Sequence, residues 1–249
     1  MDLTTILGLV GGAILLARGA ASGEISSTFL NWHGLGVVLG GTLVAILINT
    51  PARYVWNAVR SLLSLGVASP YRSPEAVVRD MAALAEASQG RGISAFRDAN
   101  RRTAGGFLAH AAEIALENND PKFVRGVLEE EISQAYDLQN EVTNVYRSMG
   151  VLSPMFGLIG TLLGIVNVLK QISEPEQVGK SMAVAITSAF YGILMANLVC
   201  VPVAGKLRIR SWEEMVTKTI VLEGLILIME GAVPAVVERR LQSFLAKSR

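Results

Sequence analysis

Apolar stretches close to membrane length dominate the chain and come in two pairs. Residues 3–17 are almost unbroken, and reach Ala21 if Arg18 lays its stem along the lipid and its head at the interface. Residues 34–48 follow, lengthened at the front by Trp32 and His33. Residues 149–169 hold 21 positions without a charge, and residues 181–205 hold 25. A crossing takes about 20 predominantly apolar residues, so the second pair is full length and the first slightly short. A cleaved leader would want a basic opening, whereas this chain begins Met1-Asp2 with no small-residue cleavage site where one belongs. The pattern predicts four membrane helices.

Between and after the pairs the pattern becomes that of amphipathic helices. Ser73-Pro74-Glu75 starts one with a serine cap, a proline at the first position and an acid in the first turn. Val77, Val78, Met81, Leu84 and Ala85 continue it at helical spacing. Gly90-Arg91-Gly92 breaks it, a short amphipathic piece over 93–99 follows, and residues 106–116 read as another helix closed by Asn118-Asn119. Asp120-Pro121 then opens the longest pattern, through Val124, Leu128, Ile132, Ala135, Val142, Val145 and Met149, which flows into the third span. A helix over 121–169 would measure roughly 70 Å at 1.5 Å per residue, a stalk longer than one bilayer. Trp212, Met215, Val216, Ile220 and Leu227 predict a helical tail, which Pro234 restarts and Leu245 ends. Residues 221–228 resemble a fifth span, but Glu223 and Glu230 leave too short an uncharged run between them. The expected fold is an all-α membrane protein: 1–50 spans one and two, 51–148 a cytoplasmic helical domain, 149–205 spans three and four, and 206–249 a cytoplasmic helical tail.

Composition sharpens this picture. Apolar types make up 51% and charged types 17%, with mean hydropathy +0.43, which excludes a disordered chain and disfavours an all-aqueous globule. A net charge of +1 leaves no nucleic-acid footprint. The single Cys200 excludes a disulfide framework within the chain, and His33 and His110 stand too far apart in sequence for a metal box. Nothing reads as a nucleophile, metal cluster or phosphate loop, so no enzyme and no cofactor is expected. Orientation follows from basic residues beside the spans. Arg53, Arg60, Arg147, Lys206, Arg208 and Arg210 lie on one side, against Arg18, Lys170 and Lys180 on the other. This places both termini and the long insert in the cytoplasm, with only short connectors outside.

Small residues say what the spans pack against. Ser153, Gly157, Gly160 and Gly164 share one face of the third span, with Thr161 close to Gly157; Ala185, Ala189, Gly192 and Ala196 recur on the fourth. Such faces let helix backbones approach closely in lipid. They serve packing within one subunit, and their regularity on two whole helices suggests contacts between subunits as well. Neither span contains Asp, Glu, Lys, Arg or His. Ser153, Thr161, Asn167, Thr187, Ser188 and Asn197 supply the polar groups; hydroxyls can meet a carboxylate or a passing cation, or simply bond back to their own helix carbonyls. If ions cross here, another chain must supply the acid.

Those residues also carry a resemblance. Ser153-Pro154-Met155-Phe156-Gly157-Leu158-Ile159-Gly160-Thr161-Leu162-Leu163-Gly164, then Met182-Ala183-Val184-Ala185-Ile186, Tyr191-Gly192 and Pro202-Val203-Ala204-Gly205-Lys206-Leu207, resemble the core signature of the MotA/TolQ/ExbB ion-channel family. The opening Met1-Asp2-Leu3, Gly40-Gly41 and the tail Glu223-Gly224, Glu230-Gly231 and Pro234 are similar to its flagellar stator A subunits, MotA and PomA, as are four spans where TolQ and ExbB have three. The resemblance implies a homopentamer in the bacterial inner membrane around a B-type subunit, MotB- or PomB-like, whose helix bears the ion-binding aspartate. It also implies that the cytoplasmic domain pushes on a rotor switch protein, and that Pro154 and Pro202 are the family's two functional prolines.

Two departures bear on mechanism. Flagellar stators usually carry an Arg and, eight residues on, a Glu that contact the rotor; these positions read Gln89 and Arg97 here. The segment instead shows Arg91, Arg97, Arg101 and Arg102 with Asp98 as counterweight, either a solvated basic face or a rotor contact of altered sign. An outer-loop aspartate common in these subunits is Asn31. Sodium-driven relatives resemble each other in pairing a threonine in span three with one in span four. Thr161 keeps the first, the second aligns with Ala189, and Thr187 and Ser188 precede it, so H+ is expected over Na+. The expected function is the A subunit of an ion-driven stator that turns cation flow into torque; the alternative is a MotA-like energiser of a gliding, transport or defence machine.

Overall fold

The computed structural model describes residues 31–65 and 73–246 of the chain, together with helical positions 7, 8, 10–12, 14 and 18. It is helical throughout, with no strand among the described residues. The first expected span, 3–17, falls largely outside them. Of its described positions, Gly12 lies against Leu198, whose Cδ1 would stand 2.8 Å from an added Cβ.

The chain divides into two compact units, 1–68 with 141–208 and 69–140 with 209–249. In the first unit α1 (Trp32–Asn49) is capped by Asn31, whose Oδ1 accepts from the His33 and Gly34 amides at 3.0 and 3.1 Å. Pro51 ends it, and α2 (Ala52–Leu65) follows at once. The unit also holds the apolar parts of the longest helices. Trp32–Asn49, Pro121–Lys170 and the run Pro175–Met229 each contain a window long and apolar enough to cross a membrane. These are three of the four expected spans.

In the second unit α3 (Pro74–Arg91), two 3-10 stretches (Gly92–Asp98 and Thr103–Gly106) and α4 (Phe107–Glu117) pack with parts of the long helices. Val77, Met81, Phe96, Leu108, Ala111, Val124, Leu128, Ile220, Leu225 and Leu241 form its core, each 1% exposed or less. Ser73 differs from expectation: its side chain makes no capping bond, and its carbonyl instead accepts from Ala76 and Val77. Asp120 does cap, its Oδ1 accepting from the Lys122 amide at 3.0 Å. The α5 helix (Pro121–Lys170) is one uninterrupted element of 50 residues containing Pro154. After α6 (Pro175–Leu194) the turn widens to a π-helix over Met195–Cys200 before α7 (Val201–Met229) and α8 (Pro234–Ala246). The widening precedes Pro202, which has no N–H and would crowd the carbonyl four residues back in regular helix. Residues 221–228 belong to the second unit's core, where Val221 and Ile226 are buried.

Candidate functional site

The membrane-length parts of α5 and α6 meet backbone to backbone. A Cβ on Gly164 would stand 2.6 Å from the Ala185 Cβ and 2.9 Å from its Cα, and one on Gly157 would stand 2.9 Å from the Ser188 carbonyl. From the other side, a Cβ on Gly192 would reach the Ser153 carbonyl at 2.5 Å and the Pro154 Cα at 3.0 Å. The small-residue stripes therefore face each other within one chain. The α1 helix joins them: a Cβ on Gly34 would come 2.8 Å from Ser188 Oγ and 3.1 Å from Thr187 Oγ1, and Gly41 fits against the Phe156 ring. The Asn31 backbone N–H donates to the Tyr191 hydroxyl at 3.0 Å, which ties the start of α1 to α6.

Thr161, Thr187 and Ser188 spend their hydroxyl protons on helix carbonyls. Thr161 Oγ1 lies 3.0 Å from both the Gly157 carbonyl on its own helix and the Ala185 carbonyl on α6, and its single proton is shared between them. Thr187 Oγ1 donates to Ala183 at 2.7 Å and Ser188 Oγ to Val184 at 2.7 Å. Thr187 and Ser188 are buried among α1, α5 and α6, while Ala189 is half-buried and carries no hydroxyl. What the hydroxyls retain is lone pairs, which accept from a protonated acid or ligate a cation. Ser153 Oγ and Thr42 Oγ1 are fully buried without a protein partner. Pro154 is half-buried next to Gly192, whereas Pro202 lies at the exit of the π-helix, where Asn197 Nδ2 donates to the Ile193 carbonyl at 3.1 Å. The two prolines thus occupy different settings. Outward from the crossing, Leu158, Ile159, Leu162, Leu163 and Val166 of α5 and Ile186 and Ile193 of α6 are exposed.

The second unit carries the charged candidates. Gln89, Arg91, Arg97, Asp98, Arg101 and Arg102 are all exposed. Arg91 Nη2 pairs with Asp98 Oδ2 at 2.7 Å, with both side chains more than half exposed. The segment is held from beneath: Thr103 Oγ1 donates to the Asp80 carboxylate, and Asn100 Nδ2 approaches it at 3.4 Å. Ala104, buried and left-handed at φ 51°, then turns the chain with Gly105 and Gly106 into α4. A groove of about 200 Å³ runs between α3 and this segment, lined by Asp80, Leu84, Ala95, Asp98, Ala99 and Leu108 among others. Elsewhere in the unit Arg125 forks onto Glu223, Nη1 to Oε1 at 2.6 Å and Nη2 to Oε2 at 3.4 Å, and this hydrogen bonding raises the guanidinium pKa further.

Three features escaped the sequence: the Thr161–Ala185 bond, the Tyr191 anchor of Asn31, and the outward face of α2. The first two depend on how helices rotate against each other, which no spacing encodes. The third was legible as a helical period through Trp56, Val59 and Leu63.

The site is thus a tightly packed pair of membrane-length helical segments, without Asp, Glu, Lys, Arg or His, with hydroxyls at its crossing. Residues 99–219 match the model of the MotA/TolQ/ExbB proton channel family. It is 26% identical to the chemotaxis protein PomA of Vibrio alginolyticus, over 100% of this chain and 97% of that one. It is 27% identical to motility protein A of Treponema pallidum, over 99% and 95%. The fold matches a solved structure of C. jejuni MotAB with TM-score 0.88 at 21% identity, covering 98% of this chain and 96% of that one.

Proposed function

We infer that the chain is the A subunit of an ion-driven stator of the flagellar motor type, which couples cation flow to torque on a rotor. The observation that carries this reading is the crossing of α5 and α6, a wall of apolar and acceptor groups with no Asp, Glu, Lys, Arg or His in either span. Such a wall can line an ion path but has no carboxylate to store a proton, so a B-type subunit supplies it. Five copies surround that partner in the inner membrane, with the second unit and both termini in the cytoplasm. The transported ion is H+, because Ala189 leaves one hydroxyl fewer than a sodium ion would need to replace its water.

The test is cation flux into vesicles holding the chain together with a single-span partner that has a membrane aspartate and no periplasmic plug. Flux is expected to require the partner's aspartate and to persist without sodium. Strict sodium dependence would overturn the ion assignment, and flux through this chain alone would overturn the division of labour.

The exposed basic segment supports a second reading, an energiser of a machine other than the flagellar rotor. Four arginines and one aspartate give 91–102 a net charge of +3, where the family usually mixes signs. Swimming separates the two: Arg97→Glu is expected to reduce torque without reducing assembly, and a charge reversal on an acidic rotor surface to restore it. Unchanged swimming with Arg91, Arg97, Arg101 and Arg102 all changed to Ala would count against rotor contact through this segment.

A further inference from the structure

Three stripes run along α2. At about 100° per residue, Tyr54, Ala58, Ser61 and Leu65 share one. This stripe faces protein: Ala58 is buried, and its carbonyl accepts from the Tyr146 hydroxyl at 2.7 Å. Tyr54, Val55 and Leu65 close on a cluster of Ile46, Val142, Val145, Tyr146, Ala204 and Leu207. The next stripe holds Trp56, Val59, Leu62 and Leu63, which are 57%, 48%, 43% and 74% exposed. Arg53 and Arg60 lie on the third, on either side of Asn57, and the Arg60 guanidinium sits 5.4 Å from the Trp56 ring centre. Apolar and basic stripes thus meet at a stacked tryptophan and arginine.

The charge around this helix has one sign. No Asp or Glu occurs in residues 51–74, 142–173 or 177–212, while Arg147 and Arg208 stand one residue from the packed Tyr146 and Leu207. Only Thr50 and Pro51 separate α2 from the end of α1, a helix of membrane length. An outward apolar stripe bordered by arginines, starting where a span ends, matches the boundary of a bilayer that carries anionic headgroups. A second copy meeting it face to face would oppose the same acid-free basic stripe.

We propose that α2 is an interfacial helix that seats Trp56, Val59, Leu62 and Leu63 at the top of the acyl chains and binds the phosphates of anionic lipid through Arg53 and Arg60. The proposal rests on the membrane placement of the first unit, and not on what the complex drives. It adds to the channel a lipid contact through which headgroup charge acts on the packing of α1, α5 and α7.

The experiment uses the full-length chain in lipid nanodiscs, with Trp32 and Trp212 changed to Phe so that Trp56 alone fluoresces. Lipids brominated high on the acyl chain are expected to quench it more than lipids brominated near the terminal methyl. Brominated phosphatidylglycerol is expected to be preferred over brominated phosphatidylcholine about thirtyfold, equivalent to about 1 kcal/mol for each of two basic side chains at an anionic surface. Arg53→Gln with Arg60→Gln should bring that preference to about one while Trp56 stays in lipid. Quenching by aqueous iodide instead of bromolipid would overturn the proposal, as would protection from both, which would put α2 against protein. A preference unchanged in the double variant would remove the arginines' role. A variant keeping only Trp32 separates the readings. If bromolipid quenches Trp32 but not Trp56, the seat of α2 fails alone; if it quenches neither, the membrane placement of the first unit fails as well.

Discussion

Gly164 and Thr161 both meet Ala185, by different physics. Gly164 contributes the absence of a side chain, and any added Cβ collides with backbone that cannot swing aside. Thr161 contributes one hydroxyl proton, shared between a carbonyl across the crossing and one within its helix. Overpacking of this kind costs about 1–3 kcal/mol, whereas a single interhelical hydrogen bond in a membrane is worth about 0.6 kcal/mol. Gly164→Val is therefore expected to abolish assembly with the partner, and Thr161→Val to preserve it while slowing ion transfer. Co-purification and vesicle flux measured on the same preparations check both; equal assembly of the two variants would contradict the ranking. The stripe containing both residues was legible from spacing alone. The acceptor of the threonine was not, because Ala185 looks like any other small residue until the helices are docked.

The α7 helix shows how one element passes from membrane character to aqueous core. Its first residues follow the π-helix, and its last turns bury Ile220, Val221 and Leu225 in the second unit. Within those turns Gly224 lies against Met81 and Leu241, with a Cβ there reaching the Met81 Cε at 2.7 Å. Its neighbour Glu223 is 20% exposed and holds Arg125. A partly exposed ion pair contributes about 1 kcal/mol at most, and crowding a packed core costs about 1–3 kcal/mol. Glu223→Gln should accordingly lower the melting temperature of the full chain in detergent less than Gly224→Val does. The reverse order would mean that the ion pair, and not the core, holds α7 in place. Glu223 also explains why the apolar run after it could be ruled out as a fifth span from sequence. The π-helix gave no such signal, since Pro202 announces a disturbance without saying how the turns before it adjust.

Among the described residues, Leu158, Leu162, Leu163 and Val166 on α5 and Ile186 and Ile193 on α6 leave a broad apolar surface exposed. Lipid covers part of such a surface, and copies of the chain with a partner's helices are expected to cover the rest. Native mass spectrometry of the complex should give five copies of this chain to two of the partner. A stable, monodisperse monomer in mild detergent would contradict it. The second pair of spans was plain in the sequence because both are full length and uncharged. The first pair was weaker: 34–48 with Trp32 and His33 in front corresponds to the helix Trp32–Asn49, which Asn31 caps.

The hydroxyls at the α5–α6 crossing carry one further consequence. With their protons committed to carbonyls, Thr161, Thr187 and Ser188 keep one hydrogen-bonding arrangement, and neither span holds an Asp, Glu, Lys, Arg or His. In the proposed assembly the wall is electrically silent across the working range. Any acid limit on transport therefore traces a single ionisation, and that ionisation belongs to the partner.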